Sequence, residues 1–456
     1  MKTGKEHKEL DIDQAQEGLV TQPTHGLRKT VGLWGAVTLA IGIVVGAGVL
    51  ALPGVVFSEA GGVALLSWAM DGLLVLPLLV VLATLGRRYP SAGGVVGFVG
   101  VSFPWAKAGS GYVILSAFAL GLPAAAIAGA GYVVATIPTP VLAGVGLRAH
   151  DAISLIAALV TAFVVGTAWF GGRVASTLQN IVVTLLIACI VGVVMLSVPY
   201  WQPIDWTVLP SNELANAGTA TRVWYGMSIA FFAFTGWEVL AFTAEEFKNP
   251  KRDFPLALAI SFVFIMLLYL GIGMAVQSIV SPNDPLLGVA PLMVIVKHAA
   301  GGMAASIMAV IAIFIIITNL NGAVWAASRL LFDLARDDHA PRLFRHVERR
   351  SAVPRQALLG IGVLMMLVLA LYQWSWLDLS TLLRVAGQNC FLLYLASTAV
   401  YIKVMQGIWT RVFGCAAMLI CLVFAAGFGG ALLFAALVFV LPYVIKPAGR
   451  LLSARA

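Results

Sequence analysis

Apolar residues run through this chain in long blocks, and the short stretches between them hold most of the charge. A helix of about 20 apolar residues spans a hydrocarbon core of ~30 Å, and each block approaches that length. Backbone groups in lipid must be satisfied within their own segment, so the blocks predict helices. Membrane strands would read as shorter alternating segments, a pattern the sequence lacks. Twelve spans follow: Gly32–Phe57, Val63–Leu85, Ala108–Ile137, Ala152–Phe170, Ala175–Val198, Val223–Phe247, Phe254–Val280, Ala304–Leu334, Gln356–Tyr372, Leu377–Met405, Arg411–Phe428 and Gly429–Ile445. The last two are short and divide at Gly427, Phe428, Gly429 and Gly430.

Composition agrees with this pattern. Of 456 residues, 61% are hydrophobic and 11% charged, where a soluble domain carries about 25% charge. Mean hydropathy is +0.97. The net charge of +8 does not point to nucleic acid, because the basic residues sit between the apolar blocks. Their placement gives an orientation. With a cytoplasmic N-terminus, the inner segments hold Lys2, Lys5, Lys8, Arg28, Lys29, Arg87, Arg88, Lys248, Lys251, Arg252 and the run from Arg329 to Arg355. The outer side keeps Arg148, Arg222 and Lys297, and Arg384 falls within a span. Both termini are therefore expected in the cytoplasm of a multi-pass inner or plasma membrane protein. Trp201, Trp206, Trp374 and Trp376 fall at outer helix ends, as an aromatic belt would.

Cys189, Cys390, Cys415 and Cys421 lie in apolar stretches without C-x-x-C spacing, which predicts buried free thiols and neither a disulfide framework nor a metal site. No cofactor motif is present. The Gly-rich basic loop Arg87–Gly100 lacks a phosphate-loop signature, so a packing or gating role on the cytoplasmic face fits it better. The six histidines are scattered through the loops and the N-terminal tail, which argues against an enzyme.

Two spans carry unusual residues. The first reads Ile41-Gly42-Ile43-Val44-Val45-Gly46-Ala47-Gly48-Val49-Leu50-Ala51-Leu52-Pro53. Glycines here suit close helix packing, or an unwound stretch whose freed amides and carbonyls line a cavity. The sixth reads Phe231-Phe232-Ala233-Phe234-Thr235-Gly236-Trp237-Glu238. A glycine beside a carboxylate deep in an apolar run is costly unless it faces protein or water. Interruptions five spans apart match an inverted five-plus-five repeat and favour the unwound reading.

These segments resemble the amino acid–polyamine–organocation (APC) superfamily. The resemblance rests on Gly46-Ala47-Gly48 with Pro53, on Phe234 to Glu238 followed by Glu245 to Pro255, and on Gly86-Arg87-Arg88-Tyr89-Pro90-Ser91-Ala92-Gly93-Gly94. Val95 to Gly100 and Gly121-Leu122-Pro123-Ala124-Ala125 are most similar to bacterial exporters of methionine and branched-chain amino acids. The resemblance implies an all-α, LeuT-type fold of ten core helices and two peripheral ones. In residue terms this gives a cytoplasmic tail over 1–30, a transport core over 31–405 with repeats near 31–200 and 222–405, and peripheral helices over 406–456. The function implied is secondary transport of neutral hydrophobic L-amino acids, as efflux, linked to protons or to exchange. An uptake permease or antiporter is the alternative.

The expected substrate residues are Val44, Gly46, Ala47, Gly48, Val49, Phe232, Phe234, Thr235, Gly236 and Trp237. Amides at the helix start near Ala47 suit a carboxylate, and the carbonyls of Val44, Phe232 and Thr235 suit an ammonium. Phe231, Phe232, Phe234 and Trp237 suggest an apolar pocket, although for any single one of them packing against lipid or other helices is the better reading. Glu238 is a candidate proton-linked gate or, equally, a structural bond across the break. Asn321, with Thr318 and Asn319, is a candidate coupling group against the first span. The fifth span, near Thr184 to Cys189, has no lysine to play that part. Asp71 is placed near an outer helix end, where exposure makes its charge inexpensive, while Arg384, Gln388 and Asn389 intrude in the tenth span. Glu245 and Glu246 with Lys248–Arg252 suggest cytoplasmic salt bridges. The partners expected are a small amino acid, the lipid bilayer and protons, with no nucleic acid, and the oligomeric state is left open.

Overall fold

The computed structural model describes residues 32–89, 94–169, 176–210, 213–242, 247–346 and 353–453, and these are helical with no strand among them. The N-terminal tail, Glu245 and Glu246 lie outside the described residues.

The first crossing is built from α1 (Leu33–Val44) and α2 (Ala47–Ala60), separated at Val45 and Gly46. A 3-10 turn over Gly61–Val63 leads into α3 (Ala64–Arg88). Arg87 and Arg88 occupy the last turn of α3, where cations meet the negative end of the helix dipole. The short α4 (Gly94–Ser102) precedes α5 (Lys107–Val134), and α6 (Thr139–Gly144) leads to α7 (Ala149–Trp169) and α8 (Ser176–Ser197). The sixth crossing consists of α9 (Thr219–Ala230), a 3-10 turn over Phe231–Phe234, and α10 (Trp237–Phe242). The rest are α11 (Pro250–Ile279), α12 (Pro291–Arg336), α13 (Arg355–Gln373), α14 (Leu379–Val404), α15 (Ile408–Ala426) and α16 (Gly430–Ser453).

Eight helical stretches among the described residues are long and apolar enough to cross a membrane, and three shorter apolar helices accompany them. Counting α1 with α2 and α9 with α10 as one interrupted crossing each, the described helices form twelve crossings. The chain is a multi-pass membrane protein. At the centre lies α5, packed against α7, α12, α14 and α16. Small residues permit this approach: a Cβ on Gly129 would lie 2.7 Å from Ile316 Cγ1, and one on Gly111 2.7 Å from Leu334 Cδ2.

Three expectations change. The eighth span begins earlier than Ala304, because α12 starts at Pro291 and turns at Gly301 (φ 85°, ψ 176°), a conformation open to glycine. Its opening segment and the preceding loop close over the first crossing, and a Cβ on Gly54 would collide with the Leu287 carbonyl at 1.7 Å. Of the four cysteines expected to be buried, Cys415 is exposed and Cys189 half-buried, while Cys390 and Cys421 are buried. Asp71 is not exposed either: its relative accessibility is 0%. The chain segment around Asp205–Pro210 packs on Gly61 and Gly62 and covers that end of α3. Trp201, Trp206, Trp374 and Trp376 do stand exposed near helix ends.

Candidate functional site

The two interruptions face one another. Val45 ends α1 by donating to the Ile41 carbonyl at 2.7 Å, and Gly46 turns back to the Val44 carbonyl at 3.0 Å. Helix α2 then starts afresh at Ala47, so its first amides have no carbonyl one turn behind them. In the sixth crossing the 3-10 turn ends where Thr235 becomes extended, and Gly236 adopts φ 122°, which no other residue type takes readily.

Glycines at both breaks allow direct contact. A Cβ on Gly48 would lie 3.0 Å from Ala233 Cα, and a Cβ on Gly236 3.0 Å from Val44 Cγ2. Tyr269 on α11 spans the junction: its hydroxyl donates to the Ala233 carbonyl at 2.8 Å and lies 3.4 Å from the Val44 carbonyl. Sequence reasoning passed over Tyr269. The signal was available, since a tyrosine deep in an apolar helix must find a partner for its hydroxyl.

Both Oε2 contacts of Glu238 close on the break. The Gly236 amide donates to it at 2.9 Å, and the Tyr394 hydroxyl of α14 donates to it as well. Glu238 is buried, and both donors meet it at the start of α10.

The aromatic side chains diverge. Phe231 packs on Phe391, Tyr394 and Phe424, towards α14 and α15. Phe234 packs on Trp68, Tyr269 and Trp237, and the Trp237 indole donates to Ser261 Oγ at 3.3 Å. These three are fully enclosed by neighbouring helices. Phe232 alone among them is partly accessible, held between Gly121 of α5 and Gly387 of α14. Thr235 is also partly accessible, whereas Val44 and Val49 are buried. The Ala47 side chain lies outside the description.

Two of the expected ammonium acceptors are already engaged. The Phe232 carbonyl accepts from Thr235 N–H at 3.2 Å and Thr235 Oγ1 at 2.7 Å, which uses both lone pairs. The Val44 carbonyl is shared between Gly46 and Tyr269. The candidate coupling residues separate as well. Thr318 bonds back to Phe314, Asn321 accepts from Thr167 of α7 at 3.1 Å, and Asn319 packs on Gly46. Asn319, not Asn321, is the residue of α12 at the first break.

A bundle with two facing interruptions, closed by glycines and a bridging tyrosine, is the arrangement of a carrier. The family model described as amino acid permease matches residues 31–451. The chain belongs to the amino acid permease family. This permease is an amino acid transporter and not an enzyme. It is 30% identical to the L-methionine/branched-chain amino acid exporter YjeH of Escherichia coli (strain K12), over 90% of this chain and 94% of the relative. It is 26% identical to the uncharacterized amino acid permease YecA of Bacillus subtilis (strain 168), over 83% and 86% of the two chains. Identity to large neutral amino acids transporter small subunit 2 of Rattus norvegicus is also 26%, over 86% and 73%. Among solved structures, MhsT in complex with L-phenylalanine superposes with a TM-score of 0.56 at 15% identity, covering 88% of the permease and 100% of that chain. The likeness shows a LeuT-type fold.

Proposed function

We propose that this permease exports neutral hydrophobic L-amino acids, with methionine, leucine, isoleucine and valine as its substrates, by alternating access around the two breaks. The observation that carries the proposal is the junction itself, where Gly48 meets Ala233 and Tyr269 reaches both interrupted crossings. Each break is a hinge of bare backbone, and rocking one repeat against the other exposes such a junction to either side in turn.

The substrate carboxylate sits on the amides that open α2, at Ala47 and Gly48, where the helix dipole favours negative charge. Its ammonium is held by the Thr235 carbonyl, just past the 3-10 turn, and by the Val44 carbonyl once Tyr269 releases it. Phe232, the accessible aromatic, meets the substrate side chain. An apolar wall with few polar groups favours aliphatic substrates over charged ones. The 30% identity to a protein named as a methionine and branched-chain exporter supports both the substrate class and the direction. Residues 31–405 form the transport core, with repeats at about 31–200 and 222–405, and residues 406–456 form peripheral helices. The termini lie in the cytoplasm, on the side where the loop lysines and arginines concentrate.

The test is flux of labelled leucine and methionine in inside-out and right-side-out vesicles, with and without a pH gradient. Faster gradient-driven loading of inside-out vesicles supports export. Preferential loading of right-side-out vesicles means uptake, and movement of arginine or glutamate in preference to leucine defeats the apolar-site reading.

A further inference from the structure

Asp71 is the polar side chain that this account of transport leaves unused. It lies on α3, seven residues past Ala64, or about 10 Å along the helix. Its accessibility is 0% and neither carboxylate oxygen has a hydrogen-bond partner. Its level in the bundle follows from its neighbours. Ser67, one turn earlier on the same face, packs on Gly226 of α9, and Gly72 packs on Met266 of α11, one turn from Tyr269. Asp71 is therefore level with the end of α9, where the sixth crossing begins to unwind.

A second unpartnered group flanks the same turn. Gln388 of α14 is 2% accessible, and both atoms of its amide lack partners. It lies on the face of α14 shared by Arg384, which stacks over Tyr225, and Phe391, which packs on Phe231. Two orphaned polar side chains on two helices thus bracket the last turn of α9.

The ionisable groups on the elements packed against α3 are engaged or distant. Tyr269 donates to Ala233, Tyr394 donates to Glu238, and Arg384 stacks on Tyr225. Cys390 contacts Glu238, and Cys421 of α15 contacts Thr398. Arg222, buried with its Nε and Nη1 unpartnered and no ion pair to Asp71, precedes Ala230 by eight residues, about 12 Å along α9 towards its start, and Glu59 stands at the end of α2. Lys251, Arg252 and Asp253 occupy the first turn of α11, at its far end from Gly273. None of these gives Asp71 an ionic partner among the described residues.

We propose that Asp71 is the proton-binding residue of the transport cycle, with Gln388 as its polar neighbour across the end of α9. A carboxylate without donors at this depth is costly to leave charged, so the closed carrier without amino acid keeps a proton on Asp71 Oδ, and the carrier loaded with amino acid crosses without it. Glu238 differs because two donors already hold its Oε2. Opening the sixth crossing towards one side lets water reach Asp71, and the proton leaves to that water. Opening towards the other side lets a proton from that side bind. Amino acid moves in the opposite sense, so the proton gradient drives export. The proposal rests on the transporter reading above.

The test uses full-length protein in proteoliposomes, with labelled leucine as the probe, comparing wild type, Asp71→Asn and Glu238→Gln. Asp71→Asn is expected to lower pH-gradient-driven accumulation by about tenfold, within the coupling range usual for linked sites. Leucine–leucine exchange, which needs no net proton movement, continues at a measurable rate. Accumulation by Asp71→Asn that still follows the pH gradient overturns the proposal, as does wild-type accumulation that follows sodium and not protons. Infrared spectroscopy gives a second readout that survives loss of flux: a protonated-carboxyl stretch in wild type and Glu238→Gln, absent from Asp71→Asn. No such difference also overturns it. If wild type moves neither leucine nor methionine, the substrate reading fails, and the infrared band still decides the fate of Asp71.

Discussion

Tyr269 donates its hydroxyl to the Ala233 carbonyl at 2.8 Å, joining the seventh crossing to the unwound part of the sixth. The same oxygen lies 3.4 Å from the Val44 carbonyl at the end of α1, so one side chain ties three elements at the junction. Tyr269→Phe keeps the ring contacts with Trp68 and Phe234 and removes only the hydroxyl. The net loss is about 1 kcal/mol of stability, readable as a small fall in Tm of the purified protein. Transport is expected to fall further than stability does, because the Ala233 carbonyl then loses the Tyr269 hydroxyl and the Val44 carbonyl keeps only the Gly46 amide. Flux equal to wild type in Tyr269→Phe would show that the bridge has no part in the cycle.

Gly46 and Gly48 separate two kinds of crowding. A Cβ on Gly46 meets the Asn319 amide at 2.4 Å, whereas a Cβ on Gly48 meets Ala233 backbone at 3.0 Å. Side chains can be trimmed and backbone cannot. Gly46→Ala should therefore lose most of its leucine flux and regain part of it in the double variant Gly46→Ala/Asn319→Ala. Gly48→Ala should cost about 1–3 kcal/mol of overpacking and find no rescue at position 319. Equal rescue of both glycines by Asn319→Ala would contradict this packing.

Glu238 carries a separable prediction. It accepts from the Gly236 amide and from Tyr394 at the start of α10. Glu238→Gln retains an acceptor for the amide and should keep the wild-type pH profile of flux. Glu238→Ala strands two buried donors at about 1–3 kcal/mol each and should lower Tm clearly. A pH profile flattened by Glu238→Gln would instead make Glu238 the titrating gate.

The interruptions were legible in the sequence because they are made of backbone chemistry. Glycines and a carboxylate inside apolar runs mark where helix bonding fails, and Gly46 and Gly236 both lie at breaks. Side-chain direction was not legible in the same way. Phe231 and Phe234 belong to a short 3-10 turn and Trp237 opens the short α10, where helical periodicity gives no face, and their partners come from α3, α11, α14 and α15. The same holds for Asn319 and Asn321, two residues apart on α12 and thus on different faces. Asp71 was misplaced because nearness to a helix end says nothing of the helices packed against that turn, here α9 and α11. Composition announces a membrane helix, but only the packing of its neighbours says which of its polar groups meets water.

Phe232 offers the most direct test of the substrate site. It is the partly accessible aromatic of the sixth-crossing turn, with its ring edge on Gly121 and its backbone on Gly387. Truncation removes a wall without stranding a polar group. Phe232→Ala should therefore enlarge the space beside the amino acid and shift preference towards bulkier apolar substrates. A hydrophobic pocket discriminates by about tenfold or more per methylene-sized change, so the ratio of leucine to phenylalanine flux should fall by at least that factor. The complementary variant, Gly121→Ala, presses on the ring, since a Cβ there would lie 2.9 Å from Phe232 Cε2. It should move the ring inward and favour valine over leucine. Competition assays with both variants in proteoliposomes read the two shifts. If they move preference in the same direction, or leave it where wild type has it, Phe232 does not touch the substrate and the site lies elsewhere along the junction.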